Sequence, residues 1–300
     1  MSVINEIQSE IAELAGKQGA AVVGIGRGWR FGSGAVIAPN RVLTAAHHVR
    51  SEGLSVSFAE QRSETAELVG VDRDLGLALL EVDTGEIEPL SWAPADAEVA
   101  IGTAVVALAN PGGRGLRASL GFVAAADRGF RGPRGRRVSG AIEHTATLPR
   151  GSAGGPLLDT DGRLLGVNAL RLEGGLIVAL GPASGLREAV ERLARGDEPA
   201  RPFLGVAVAP AHVSRRMRQA VGLPEREGLL VRGVEEESPA AQAGIGRGDL
   251  IVAAGGEQVD GIDSLHRVLD AAAPNGEVAV TVVRGTEERQ LEVELAGVPA

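Results

Sequence analysis

The sequence predicts a mainly β chain in two domains, on three observations. Short runs of Val, Leu, Ile and Ala recur from residue 20 to about residue 180, separated by Gly, Pro, Asn and Asp, which is the pattern of strands and tight turns. The 300 residues include 43 glycines but only 2% aromatics, so the core has to be built from small aliphatic side chains. Residues 195–202, RGDEPARP, then interrupt the pattern with a charged, aperiodic stretch, after which a second set of strands begins.

Taken in order, residues 1–19 place Ile4, Ile7, Ile11 and Leu14 at helical spacing, with Glu6, Glu10 and Glu13 elsewhere, and predict an amphipathic helix. They have neither the charged start nor the apolar run of a secretory leader, and no stretch of about eighteen apolar residues follows. No membrane span and a cytoplasmic location are therefore expected, with the periplasm as the alternative if the true start lies upstream. Residues 20–197 form the first domain, where AVVGI, GAVIA, RVLTAA, LGLALLEV, AVVAL, RLLGVNAL and GLIVAL read as strands. Its last element is a helix from Gly185 to Ala194, with Leu186, Ala189, Val190 and Leu193 on one face and Gly196 as the stop.

Residues 198–202 are the expected linker, and 203–300 the second domain, with strands LGVAVA, GLLVRGV, DLIVAAGG, EVAVTVVR and QLEVEL. Two helices are expected there. One is capped by Ser238, has Pro239 at its first position and exits through Gly244; the other runs from about Ser264 to Ala272 with Leu265, Val268 and Leu269 inward.

A net charge of −9 opposes nucleic-acid binding, which needs a positive footprint to displace counterions. The one basic cluster, Arg128, Arg131, Arg134, Arg136 and Arg137 in DRGFRGPRGRR, reads as a solvated loop. With no cysteine there is no disulfide, thiol nucleophile or Cys-based metal site, and neither a metal nor an organic cofactor is implied.

Three segments carry the chemistry: GSGAVIAPNRVLTAAHHV (32–49), VDRDLGLALLEVD (71–83) and GSAGGPLLDTDGRLLGVNAL (151–170). They are followed by FLGVAV, GLLVRGV and SPAAQAGIGRGDLIVAAGGEQV. In this order they resemble the HtrA/Deg family of serine proteases, which implies a trypsin-like double β-barrel followed by a PDZ domain. The match makes His47 the general base, with His48 as second choice. It puts Gly76 where the family's aspartate stands and Ala153 where its nucleophilic serine stands, with the backbone N–H groups of Gly151 and Ala153 forming the oxyanion hole. In the second domain Phe203, Leu204, Gly205 and Val206 would receive a peptide's terminal carboxylate, and the peptide would add as a strand between Val206–Ala209 and the helix carrying Leu265. The implied partners are peptides or unfolded proteins with exposed apolar C-termini, and the implied assembly is a homotrimer.

A serine hydroxyl attacks only when a histidine takes its proton and a carboxylate steadies that histidine. Removing the serine of a comparable triad lowers turnover by about a millionfold. Ser152 cannot replace it, because the side chain next to the nucleophile points into the domain. Ala153 has two explanations. A laboratory Ser→Ala change would leave the rest of an ATP-independent endopeptidase intact, with Asp74 serving as carboxylate through a bulge at Gly76. A natural pseudoprotease accounts for the loss of both groups. Asp74 lies two residues before Gly76, about 6.6 Å along a strand, too far for direct substitution.

Overall fold

The computed structural model describes residues 2–299 except 28–29, 50–53, 60–61, 133–136, 173, 198–199, 210, 221, 223 and 273–275. The chain divides into two compact units, residues 1–198 and 199–300.

The first unit opens with α1 (Val3–Gln18), capped by the Ser2 hydroxyl, which accepts the Asn5 N–H at 3.4 Å. Leu14 and Ala15 pack on the core while Val3, Ile4 and Ile7 stay exposed. The strands β1 (Val22–Arg27), β2 (Arg30–Ala38), β3 (Arg41–Ala45), β4 (Leu54–Ser57), β5 (Ser63–Asp72) and β6 (Leu77–Glu81) close into a barrel in the order β1-β2-β3-β6-β5-β4. A second barrel follows from β7 (Ala104–Ala109), β8 (Arg117–Arg131), β9 (Arg137–His144), β10 (Pro156–Leu158), β11 (Leu164–Arg171) and β12 (Ile177–Leu180), in the order β10-β11-β12-β9-β8-β7. Closure leaves neither sheet a free edge. Both interiors are filled by the short aliphatic runs, with Ile25, Leu43, Leu79, Leu108, Leu157 and Leu180 among the fully buried side chains.

The basic stretch departs from its expected loop. Arg128 and Arg131 lie in β8 and Arg137 begins β9, while Arg134 and Arg136 lie outside the described residues. The ladder pairs Phe130 with Val138 and Arg131 with Arg137. Register shifts along it break the two-residue alternation by which a strand is recognised. The exposed arginine side chains cost a barrel's outer surface nothing.

The β5–β6 hairpin bears on the chemistry. Asp72 pairs with Leu77, so residues 73–76 form a tight turn rather than strand. One oxygen of the buried Asp72 carboxylate accepts the N–H groups of Asp74 (3.1 Å) and Leu75 (2.9 Å). The other accepts from Arg192 at 3.2 Å. Gly76 closes the turn at φ 71°, a conformation costly for a residue with a Cβ. Arg192 belongs to α2 (Leu186–Ala194), which buries Leu186, Ala189, Val190 and Leu193, the face its periodicity predicts.

In the second unit β13 (Ala200–Phe203) precedes β14 (Val206–Ala209), α3 (Ala211–Ala220), β15 (Leu229–Val234), α4 (Pro239–Gln242), β16 (Leu250–Ala254) and β17 (Glu257–Gln258). Then come α5 (Ile262–Ala271), β18 (Glu277–Arg284), β19 (Glu287–Glu294) and β20 (Ala296–Pro299). The main sheet runs β14-β15-β16-β18-β19, with β17 on β16, and β13 pairs with β20. At α4 the Ser238 hydroxyl accepts the Ala241 N–H at 3.3 Å, Pro239 is the first residue, and Gly244 exits at φ 82°. The helix α5 starts two residues before its expected Ser264, whose hydroxyl instead accepts the N–H groups of Asp260 and Gly261. The sequence did not announce α3. Among its described side chains only Val213 and Ser214 turn inward, and Ser214 is held by the Leu230 N–H at 3.1 Å rather than by apolar burial.

Among the described residues no helix is long and apolar enough to cross a membrane. Replacing Asp72 with Ala should strand two turn amides and the Arg192 guanidinium, lowering stability by about 2–4 kcal/mol in urea denaturation.

Candidate active site

After β3 the chain makes a 3₁₀ turn, Ala46–His48, that presents His47 to solvent. The Ala46 N–H donates to the Gly76 carbonyl at 2.8 Å, which sets the His47 turn directly beside the β5–β6 hairpin. The other wall comes from the second barrel, in the loop Gly151–Gly155 that leads into β10.

Ser33 of β2 joins the two. Its N–H donates to the Ala153 carbonyl (3.1 Å) and its hydroxyl to the Gly151 carbonyl (2.8 Å), while the same hydroxyl accepts the Asn110 N–H (3.0 Å). Its own carbonyl accepts from Thr44 at 2.7 Å. Gly154 approaches so closely that a Cβ there would lie 2.2 Å from the Ser33 oxygen, so only glycine fits. With the carbonyls of Gly151 and Ala153 turned toward Ser33, and that of Ser152 taken by the Gly155 N–H at 3.0 Å, the loop is fixed from behind. No acceptor among the described residues takes the amide hydrogens of Gly151 or Ala153.

His47, Gly151, Ser152 and Ala153 line one open cleft of about 830 Å³, together with Phe31 and Asn168. Ser152 is buried and its hydroxyl donates to the Pro149 carbonyl at 2.7 Å, so it faces away from attack. A smaller cavity of about 300 Å³ adjoins His47 and is lined by Gly76, Leu75, Leu77, Phe130, Arg131 and Asn168 among others. Asp74 lines neither space; it sits in the turn, not on a strand face two residues from Gly76. Sequence reasoning singled out neither Phe31 nor, within their motif segments, Ser33 and Asn168, and it read Arg131 only as part of a solvated basic loop.

His48 is held differently from its neighbour. Its ring centroid is 4.0 Å from that of His47, its Nε2 is buried with no hydrogen-bond partner among the described residues, and the ring occupies the space beside Gly32. Burial first, then the neighbouring His47, lower its pKa to about 4, opposed by the backbone of Ala153. Both rings line the cleft, but the Nε2 of His48 is enclosed, and His47 is the more exposed of the two. His144, fully buried, has its Nε2 3.0 Å from the Asn168 side-chain oxygen, and burial lowers its pKa as well. No cluster of three or more His, Cys, Asp or Glu positioned for a metal ion occurs among the described residues.

In the second unit Phe203 pairs with Ala296, and the carbonyls of Leu204 and Gly205 accept the N–H groups of Ala240 and Glu235, each at 2.9 Å. Val206 opens β14, which among the described residues pairs only with β15 and is an edge strand of its sheet. Leu265, expected to meet a peptide, is 3% exposed and packs in the core with Val268 and Leu269.

Family models for a trypsin-like peptidase domain and a PDZ domain match residues 32–167 and 202–295. The chain belongs to the HtrA/Deg family. It is 28% identical over 272 residues to the probable periplasmic serine endoprotease DegP-like of Rickettsia prowazekii, covering 88% of this chain and 53% of that one. The protein of the same description from Brucella suis is 30% identical over 280 residues, covering 89% and 53%. The chain thus spans about half the length of the curated relatives it matches.

Among solved structures, the HtrA-type protease AlgW with decapeptide is similar at a TM-score of 0.67 and 21% identity, over 97% of this chain and 99% of that one. The serine endoprotease from Yersinia pestis is similar at 0.65 and 23%, over 96% and 98%. These likenesses are of fold. The cytoplasmic expectation is corrected here, because the HtrA/Deg relatives that match are named periplasmic. The character of residues 1–19 describes a helix and does not report on compartment.

Folding favours the neutral imidazoles of both His48 and His144. For His48 the unfolded chain therefore binds more protons between about 4 and 6.5, and stability rises with pH across that window. Urea midpoints should fall as the pH is taken from 7 to about 4.5, and His48→Gln should flatten the slope; a midpoint independent of pH would contradict the burial of both rings.

Proposed function

We propose that this HtrA/Deg protein holds polypeptide segments without cutting them. The observation that carries this is the side chain facing the cleft beside His47, which is the methyl group of Ala153. The remainder of the site supports it. Gly76 stands beside the His47 turn where the triad carboxylate would act, and the Ser152 hydroxyl is tied to the Pro149 carbonyl. The amides of Gly151 and Ala153, free of protein acceptors among the described residues, are placed to bind a peptide carbonyl. The cleft is a peptide-binding surface with its anion cradle and its imidazole, and no nucleophile.

The alternative is an endopeptidase carrying a Ser→Ala change at 153, with Asp74 as its carboxylate. The hairpin disfavours it, since Asp74 lines neither the cleft nor the cavity behind His47. Casein digestion separates the two. The unchanged chain should lie about a millionfold below an intact triad. Ala153→Ser alone should recover a small part of the activity, and Ala153→Ser with Gly76→Asp most of it, less the roughly 1 kcal/mol of strain that an aspartate carries at a left-handed position. Substantial cleavage by the unchanged chain would overturn the proposal, and full activity of the single variant would favour the engineered trap.

The PDZ domain supplies a second peptide site. The β14 edge offers unpaired backbone to an added strand, with residues 203–206 receiving the terminal carboxylate and Leu265 forming the base of the groove rather than its rim. Partners are peptides or unfolded proteins ending in small apolar residues, and the assembly is a homotrimer. Peptides of that kind should bind the full chain in fluorescence polarisation, and amidating their C-terminus should weaken binding by about tenfold. Equal affinity of acid and amide forms would rule out carboxylate capture.

A further inference from the structure

The cleft beside His47 carries fixed charge of one sign. Apart from the two histidines its charged lining is Arg150 and Arg171, and no Asp or Glu lines it among the described residues. Both arginines are exposed, and neither makes an ion pair or a side-chain hydrogen bond among the described residues. Elsewhere in the same unit Arg41, Arg163, Arg187, Arg192 and Arg195 are each paired with a carboxylate. A chain of net charge −9 has acids to spare, yet its cleft presents two uncompensated guanidinium groups.

Each arginine flanks backbone that a polypeptide can use. Arg150 directly precedes Gly151, whose amide, with that of Ala153, is placed to meet a peptide carbonyl. Arg171 ends β11 beyond the point where β10 pairing stops at Val167. There Ala169, Leu170 and Arg171 line the cleft, and among the described residues their strand pairs only with β12, so its other edge is open to an added strand. We propose that the cleft selects polypeptide segments carrying aspartate or glutamate side chains, whose carboxylates are bound by Arg150 and Arg171. A guanidinium donates paired N–H groups to a carboxylate and binds it more strongly than the neutral amide of the same shape. Exposed pairs of this kind are individually weak, so they serve selection more than affinity. A free small carboxylate gains one such contact, whereas a segment already held through its backbone gains both. The inference rests on the reading of the cleft as a surface that holds polypeptide.

The test uses the full chain and peptides with an aliphatic centre flanked by Asp and Glu, by Asn and Gln, or by Lys. All are N-acetylated and C-amidated, which removes the terminal carboxylate from the comparison. In fluorescence polarisation the Asp/Glu peptide should bind about fivefold more tightly than the Asn/Gln peptide. The Lys peptide should bind least, and the differences should shrink as ionic strength rises from about 0.05 to about 0.5 M. Arg150→Gln with Arg171→Gln should abolish the preference, and Arg150→Glu with Arg171→Glu should turn it toward the Lys peptide. Arg163→Gln, at an arginine outside the cleft lining, should leave it intact. Equal affinity for the Asp/Glu and Asn/Gln peptides, or a preference that survives the double Gln substitution, overturns the inference and leaves the holding of polypeptide standing. Absence of binding by any of the three peptides overturns the holding itself, and this inference with it.

Discussion

The four hydrogen bonds of Ser33 hold the site together. Its N–H, carbonyl and hydroxyl are all engaged in a fully buried position, and they connect β2 and β3 of one barrel to the loop and to Asn110 of the other. Buried polar groups of this kind are stabilising only when every one is satisfied. Ser33 meets that condition through partners that are backbone carbonyls and amides, apart from one threonine hydroxyl. The cleft between His47 and the Gly151–Gly155 loop is therefore a consequence of barrel packing.

None of those bonds involves residue 153's side chain or residue 76's. A hydroxyl or a carboxylate can disappear from the cleft without disturbing the backbone that frames it. The hairpin tells the same story, because the Asp72 carboxylate organises its turn and anchors α2 while Gly76 accommodates the left-handed closure. A scaffold built on backbone contacts holds the Gly151 and Ala153 amides in place whatever side chains stand at residues 76 and 153. The two rings of the His47 turn also differ: both line the cleft, but His47 is exposed while the Nε2 of His48 is enclosed and its ring held neutral by burial.

The PDZ unit depends on the same economy of local signals. Ser238, Pro239 and Gly244 mark α4 at both ends, and its cap is formed as that spacing implies. By contrast α3 has too thin an apolar face to be seen as periodic, and its attachment to β15 through Ser214 is a tertiary hydrogen bond that no local pattern encodes. Leu265 shows the limit of placing a residue on a groove from helix position alone, since the same face also supplies the core.

By itself the sequence determined the mainly β class, the family likeness, the existence of α1 (of whose spaced apolar residues Ile4 and Ile7 stay exposed and only Leu14 packs on the core), the buried face of α2 and the backbone of the GSAGGP loop. These follow from local periodicity, capping and glycine placement, which act over a few residues and are written in consecutive positions. Only the tertiary structure decided which of two adjacent histidines has its Nε2 enclosed, that Asp74 sits in a turn, that Arg131 borders the cavity behind His47, and that Ser33 joins the barrels. Each of those depends on strands far apart in the chain meeting in one register, and register is set by burial across the whole barrel rather than by neighbours in sequence.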